Sequence, residues 1–393
     1  MNCAQTIAAA PDQRVRMLGV EDEQEWNEVL NSCTHDFYHL PEYHRLAELS
    51  GEGTARLFVY REGEDVIALP LLLRAIRDVP GLEAEAGDWQ DATSVYGYGG
   101  PIASHLDPPE SILQGYRIAL THWLTEIRVV AVFSRLHPLF AQRSLLAGLG
   151  ECVPAGQTVS IDLTLSPEEQ RAQYSGTYRT RLNKLSRNGI TCALDPEQRH
   201  LAEFVDMYHE TMRRVNAHGS YFFGSDYFTG LSLQLGSTLQ LFITRCGDQI
   251  IAGGLFTLCA GIVQYHLGAT RDAFLKLSPM GLVIDTARLW GNEQGAQVLH
   301  LGGGVGSRED SLFCFKAGFS ERRHRFETWR WVIAPELYQG LGEERVRSNE
   351  LTGVEAISAG YFPAYRCPTV PRVVGASAPV ASAVVGTLPQ GGA

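Results

Sequence analysis

Several signatures are missing from this sequence, and each absence closes a class of function. The eight cysteines, at positions 3, 33, 152, 192, 246, 259, 314 and 367, form no C-x-x-C pair. That scatter argues against a disulfide scaffold and for reduced, mostly buried thiols in a cytosolic protein. No stretch of about 20 residues is apolar enough to span a bilayer. The opening MNCAQTIAAAPDQRVRM lacks the basic start and long apolar run of a secretory signal, so a cytoplasmic location is expected. No G-x-S-x-G elbow anchors a serine hydrolase triad. No Walker sequence and no G-x-G-x-x-G fingerprint is present. Positive charge is also short: 33 Lys and Arg against 44 Asp and Glu give a net charge of -11. This excludes a general basic coat for nucleic acid but leaves room for one local basic groove. His35, His39 and His44 lack the spacing of a zinc site, and Asp36 and Glu42 near them read as a surface helix start. Neither a metal nor a redox cofactor is expected.

What is present is the composition of a soluble globular protein, with 45% hydrophobic and 20% charged residues. A chain of 393 residues exceeds one compact core and points to two domains. Strands and helices alternate. Strands are expected at 14–20, 57–60, 66–73, 129–134, 239–245, 250–258, 263–267, 298–301 and 326–332. Helices are expected at 22–32, 41–50, 109–127, 167–174, 177–188, 197–214, 226–235, 280–294 and 310–316. The ends, 1–12 and 375–393, are too poor in large apolar groups to offset their ordering entropy.

Two hairpins repeat one another. Leu57-Phe58-Val59-Tyr60-Arg61 with Gly63, Asp65, Ile67 and Ala68 matches Leu241-Phe242-Ile243-Thr244-Arg245 with Gly247, Asp248, Ile251 and Ala252. Each is followed by a segment bearing Tyr and Gly, at 96–101 and 265–268. The shared order points to duplication of one α/β unit, the first at 13–165 and the second at 166–333, with an extension at 334–374. The fold class expected is α/β (α+β), two tandem units, each a mixed, mostly antiparallel sheet flanked by helices.

Four segments could carry chemistry. His300-Leu301-Gly302-Gly303-Gly304-Val305-Gly306-Ser307 runs from a strand through glycines to a helix, where backbone N–H groups can approach an anion; a tight turn explains the same pattern. Ser307 with Asp310 fits an N-cap and its acidic third residue. In Phe313-Cys314-Phe315-Lys316, a cation held in an apolar surround could stabilise an oxyanion; it could equally snorkel to water. Cys314, between two phenylalanines, reads as a buried, inert thiol. On the helix at 177–188, Tyr178, Leu182 and Leu185 share one face while Arg179, Arg181, Lys184 and Arg187 occupy the rest. Such a face suits a polyphosphate backbone or plain solvent. Finally, Arg213 and Arg214 end a helix before an aromatic loop with Tyr221. Either arginine could grip a phosphate or carboxylate, or simply complement the helix C-terminus.

Taken together, these segments resemble the Fem-type aminoacyl-tRNA-dependent transferases, a two-domain branch of the acetyltransferase-like (GNAT) superfamily. The likeness is carried by Arg181-x-Asn183-Lys184-x-x-x-x-Gly189, the stretch 212–221, Gly268-Ala269-Thr270, residues 299–304, and Phe313-x-Phe315-Lys316-x-x-Phe319. It is strongest over residues 170–330; in the first unit, Tyr98 and Gly99-Gly100-Pro101 are the anchors. An acidic residue often follows that Gly-Pro in the family, whereas Ser104 stands close to that place here and Asp107 comes a little later.

The resemblance implies transfer of an aminoacyl group from aminoacyl-tRNA to the amine of a peptidoglycan precursor or peptide-like small molecule. Lys316 and Phe315 would sit where the ester reacts. Tyr98, Arg213, Arg214, Tyr221, Tyr265, Gly303 and Gly304 would line the substrate cleft between domains. Arg179, Arg181, Lys184 and Arg187 would meet tRNA phosphates. The rival readings are an acyl-CoA-dependent N-acyltransferase and a non-catalytic binding module on the same fold. Against CoA, the place of a pyrophosphate loop is taken by Lys276-Leu277-Ser278-Pro279-Met280-Gly281, where Pro279 removes a donor N–H.

Overall fold

The computed structural model describes residues 13–217, 219–358 and 360–372; the unstructured ends expected at 1–12 and 375–393 lie outside them. The first half of the chain forms β1 (Val15–Leu18), α1 (Glu23–Asn31), α2 (Pro41–Leu49), β2 (Thr54–Glu62), β3 (Asp65–Ala75), β4 (Gln90–Thr93), β5 (Ile102–Ala103), α3 (Glu110–Glu126), β6 (Val129–Arg135) and β7 (Glu151–Asp162). The second half forms α4 (Pro167–Ala172), α5 (Gly176–Arg187), β8 (Ile190–Asp195), α6 (Leu201–Arg214), α7 (Ser225–Leu235), β9 (Leu239–Cys246), β10 (Gln249–Cys259), β11 (Ile262–Thr270), α8 (Met280–Glu293), β12 (Val298–Gly302), α9 (Ser311–Ala317) and β13 (Arg323–Val332). The chain continues through α10 (Pro335–Thr352) and the small hairpin β14 (Val354–Ala356) and β15 (Thr369–Pro371).

The duplicated hairpins are β2–β3 and β9–β10, and each opens the same topology. Within each half three antiparallel pairings lead to one parallel pairing, β4 with β6 and β11 with β12. The halves then exchange strands. β13, from the second half, inserts between β6 and β7, while β7, from the first, inserts between β13 and β12. The C-terminal end of β7 pairs with β12 (Val298↔Asp162) and the C-terminal end of β13 pairs with β6 (Val332↔Ala131), so the exchange is reciprocal.

The mixed, mostly antiparallel sheets expected of the two units are continuous with each other: one 13-stranded sheet runs through both halves. The reason is β7. It was invisible in the sequence because Pro154 and Gly156 interrupt its apolar pattern, and proline cannot donate to a ladder. Pro154 instead faces Glu327 beside a register shift between Phe326 and Glu327, which absorbs the missing donor. β4 and β8 also escaped notice, the first being only four residues long.

The helices follow their apolar periodicity. On α5, Leu182 and Leu185 turn inward while the four cations stay exposed. The main core cluster joins the halves, with Trp26, Phe37, Tyr38 and Leu46 of the first packed with Phe204, Tyr208, Phe228 and Leu231 of the second. Each such buried side chain contributes about 2 kcal/mol. The extension after residue 333 is helical and docks on the first half through Ile76, Val79, Val130, Leu341 and Tyr365. There the fully buried Asp91 holds Arg74 at 2.7 Å and pairs with Arg366.

Candidate functional site

A cavity opens where the exchanged strands cross. It is lined by Tyr96, Gly97, Tyr98, Arg135, Gln157, Thr158, Gly303, Gly304, Ser307 and Phe326, drawn from both halves. The first wall exists because the fourth strand of that half is broken. β4 pairs with β3 at Leu72–Ala75 positions and β5 resumes at Ile67 and Ala68, and residues 94–101 loop out between them. Gly97 and Gly100 have φ of 112° and 92°, which glycine adopts freely, and a Cβ on Gly97 would strike the Tyr38 ring. Gln142 ties this loop down, donating to Gly99 O at 2.9 Å and accepting from His137 N–H at 2.6 Å.

Behind the cavity lies a buried chain of polar groups that crosses from one half to the other. Leu139 N–H donates to His137 Nδ1 (3.3 Å), so the His137 proton sits on Nε2 and is given to Asp36 Oδ2 at 3.0 Å. Gln264 Nε2 donates to the same oxygen at 2.7 Å, and its Oε1 accepts from His300 Nδ1 at 2.7 Å. His300 Nε2 then accepts from Thr158 Oγ1–H at 2.8 Å. Burial first, and then its cationic or basic neighbours, among them Lys316, hold His300 well below the ordinary histidine range, so it is neutral. Tyr98 caps the chain edge-on, its ring centroid 5.3 Å from His300 and 6.1 Å from His137. Asp36 is therefore no surface helix start. It is completely buried and anchors the junction of the two halves. The sequence signal was there in polar residues set within buried strands, Gln264, His300 and Thr158, which must find partners inside.

Lys316 is also completely buried. Its Nζ donates to Gly303 O at 2.7 Å and lies 5.5 Å from the centroid of the Tyr265 ring. Desolvation pushes its pKa down to about 7, opposed by the Asp310 carboxylate. The ammonium does not point into bulk solvent, nor does it line the cavity; it stands one peptide behind the cavity wall. In the trans peptide between Gly303 and Gly304 the C=O and N–H point opposite ways, so Lys316 holds the face turned away from the Gly304 N–H. The helix cap is Asp310 rather than Ser307: its Oδ1 accepts from Phe313 N–H at 2.9 Å and its Oδ2 from Val305 N–H at 3.0 Å. The protein's own carboxylate thus occupies part of the glycine loop that the sequence offered to an external anion.

The remaining candidates disperse. Phe315 packs on Tyr178 and Phe319 and faces away from the cavity lining. Tyr265 lies under Lys316. Tyr221 is buried near Tyr96 and Arg135, and its backbone carbonyl accepts from Tyr208 OH at 2.8 Å. Arg213 is exposed. Arg214 is taken up by Thr270 O at 3.1 Å and by Asp272. Neither arginine lines the cavity; Arg135, which the sequence reading passed over at the end of an apolar strand, does. Arg179, Arg181, Lys184 and Arg187 form an exposed basic face on α5, which packs through Tyr178 against Gly318 and Phe319 beside α9. Cys314 is exposed, not buried, and of the other described cysteines only Cys33, Cys259 and Cys367 are fully buried.

At the start of α8, Gly281 N–H donates to Ser278 O (3.3 Å) and Leu282 N–H to Pro279 O (2.9 Å), while Val283 N–H makes the usual helical bond. These first-turn donors are engaged by the chain itself.

Comparison with known proteins agrees with this architecture. Residues 172–309 match the Acetyltransferase (GNAT) domain family. Among solved structures, FemX superposes with a TM-score of 0.63 at 14% identity, covering 82% of this chain and 99% of FemX. L-PGS from Bacillus licheniformis gives 0.50 at 15% identity, covering 78% and 91%. The C-terminal domain of a candidate lysylphosphatidylglycerol synthetase from Agrobacterium fabrum gives 0.51 at 13%, covering 79% and 91%. No curated protein matches the sequence. Residues 172–309 thus carry a domain of the GNAT type, and the fold of the chain is similar to that of FemX. More narrowly, its two halves share one strand topology and are joined through exchanged strands.

Proposed function

We propose that this protein forms amide bonds by transferring an aminoacyl group from aminoacyl-tRNA to an amine bound in the central cavity. The observation that carries the reading is the sealed Lys316 on Gly303 O, directly behind the Gly303-Gly304 wall of a cavity built from both halves. An aminoacyl ester is already activated, so the protein must chiefly position the amine and stabilise charge on the tetrahedral intermediate. The Gly304 N–H is the donor for that charge. Lys316 acts as a positioning residue, polarising the peptide so that this N–H becomes a stronger donor. The attacking nitrogen must shed a proton, and the Thr158 hydroxyl, backed by neutral His300, is the acceptor nearest the cavity.

The exposed cations of α5 lie on the side of α9 and suit the phosphates of a tRNA acceptor stem. The engaged first-turn N–H groups of α8 leave little for a CoA pyrophosphate, which favours tRNA over CoA as donor. The test is a transfer assay with radiolabelled aminoacyl-tRNA against a pool of amines, run beside labelled acyl-CoA. Label passing to an amine from the tRNA alone supports the reading. Turnover from acyl-CoA alone replaces it with the CoA-dependent one, and stable binding without turnover from either donor marks a binding module.

A further inference from the structure

We infer that the cavity seats a compact oxyanion, a carboxylate or a phosphate, carried by the acceptor and held by Arg135. This rests on reading the cavity as the acceptor's place. Arg135 ends β6 and is 9% exposed. Its guanidinium lies 5.5 Å from the centroid of the Phe133 ring, within cation–π reach. Among the described residues, no carboxylate comes within 4 Å of that guanidinium and no protein acceptor takes a hydrogen bond from it. The carboxylate that feels its charge is Glu52, on the turn before β2 and beyond ion-pair distance.

Other arginines withdrawn from solvent behave differently. Arg288 is paired with Asp285 at 2.9 Å, Arg74 with Asp91 at 2.7 Å, and Arg366 with Asp91. Arg135 has no such partner, and among the described residues it is the one charged side chain lining the cavity. The neutral polar side chains of Tyr96, Tyr98, Gln157, Thr158 and Ser307 line the same cavity. A desolvated cation without its anion is costly, so a site built this way gains most from a planar or tetrahedral oxyanion that accepts two parallel N–H bonds. Gly303 and Gly304 bound the same small cavity. The anion and the nucleophilic nitrogen therefore belong to one small molecule or to one end of a larger one: an amino acid, or an amine with a nearby phosphate.

Binding tests this without any donor. The full chain is titrated with inorganic phosphate, glycine, glycinamide and methylamine at constant ionic strength, followed by thermal shift and calorimetry. Wild type and Arg135→Gln are compared, with Arg128→Gln, an exposed arginine, as control. The expected result is saturable binding of phosphate or glycine, weakened about 30-fold in Arg135→Gln and unchanged in Arg128→Gln, with little response to glycinamide or methylamine. Tighter binding of phosphate than of glycine identifies a phosphorylated amine, and the reverse an amino acid. Equal anion binding by wild type and Arg135→Gln, or none by wild type, overturns the inference. Failure of tRNA-dependent transfer would leave these binding results untouched, so the two readings fail separately.

Discussion

The two halves share a topology and divide the labour, and their fourth strands show how. In the second half that strand is the unbroken β11, paired to β10 along its length with one register shift near His266. It carries Tyr265 beneath the buried lysine. In the first half the same strand is split into β4 and β5, and the freed residues 94–101 become a wall of the cavity. The long helices diverge as well. α8 holds Asp285 against Arg288, Arg171 and Tyr174, a buried ionic clasp to α4, whereas α3 packs through Ile112, Leu113, Tyr116, Leu120 and Leu124. On the proposed reading, the second half supplies cations and the reacting peptide, and the first supplies shape and Arg135. The break in strand continuity in the first half is what leaves room for the cavity.

Mutations can break or sharpen this contrast. The largest effect is expected from Asp285→Ala. Removing one partner strands Arg288 in the core and costs about 3–5 kcal/mol by denaturant unfolding; a loss below about 1 kcal/mol would erase the distinction between α8 and α3. Next, Lys316→Met, with folding checked by circular dichroism, should lower transfer about 100- to 1,000-fold. Near-normal turnover would remove the second half's special role. The same residue sets a pH dependence. Its folded pKa of about 7 lies below the ordinary lysine value of 10.5, so the unfolded chain binds more protons between those values. Stability of wild type relative to Lys316→Met should therefore rise with pH across that window, by about 1.4 kcal/mol per unit at most. A flat difference would place the ammonium in water. A smaller effect is expected from Arg181→Gln with Lys184→Gln: unchanged stability, with a salt slope of tRNA binding shallower by roughly 0.7–0.9 per lost contact. Last, Cys314 should react with a thiol reagent in the folded protein. Cys33, buried with its pKa pushed up to about 11, should not.

Much of the fold was legible because local rules and burial agree. The matched hairpins foretold β2–β3 and β9–β10, and the spacing of Tyr178, Leu182 and Leu185 foretold α5. What stayed hidden depended on long-range pairing. β7 carries Pro154 and Gly156 and becomes a strand only because β13 and β12 flank it. Of the residues the sequence put forward, Tyr98, Gly303 and Gly304 line the cavity, and Lys316 stands behind it. Arg135 was missed because a cation closing an apolar strand looks like an ordinary exit to solvent, and only tertiary packing shows it withdrawn from water. Asp36 was misread for the opposite reason. A polar cluster before a helix usually faces water, and its partners, His137 and Gln264, lie far off in sequence.

The central claim is that the ester reacts at the Gly303-Gly304 peptide, polarised from behind by Lys316. It is tested most directly by a structure of the full chain with an aminoacyl-CCA trinucleotide whose ester is replaced by an amide. The account predicts the ligand carbonyl oxygen within hydrogen-bond reach of the Gly304 N–H, with the amino acid entering the cavity beside Tyr98. A carbonyl bound away from that peptide, with Lys316 and Gly303 untouched, would contradict it.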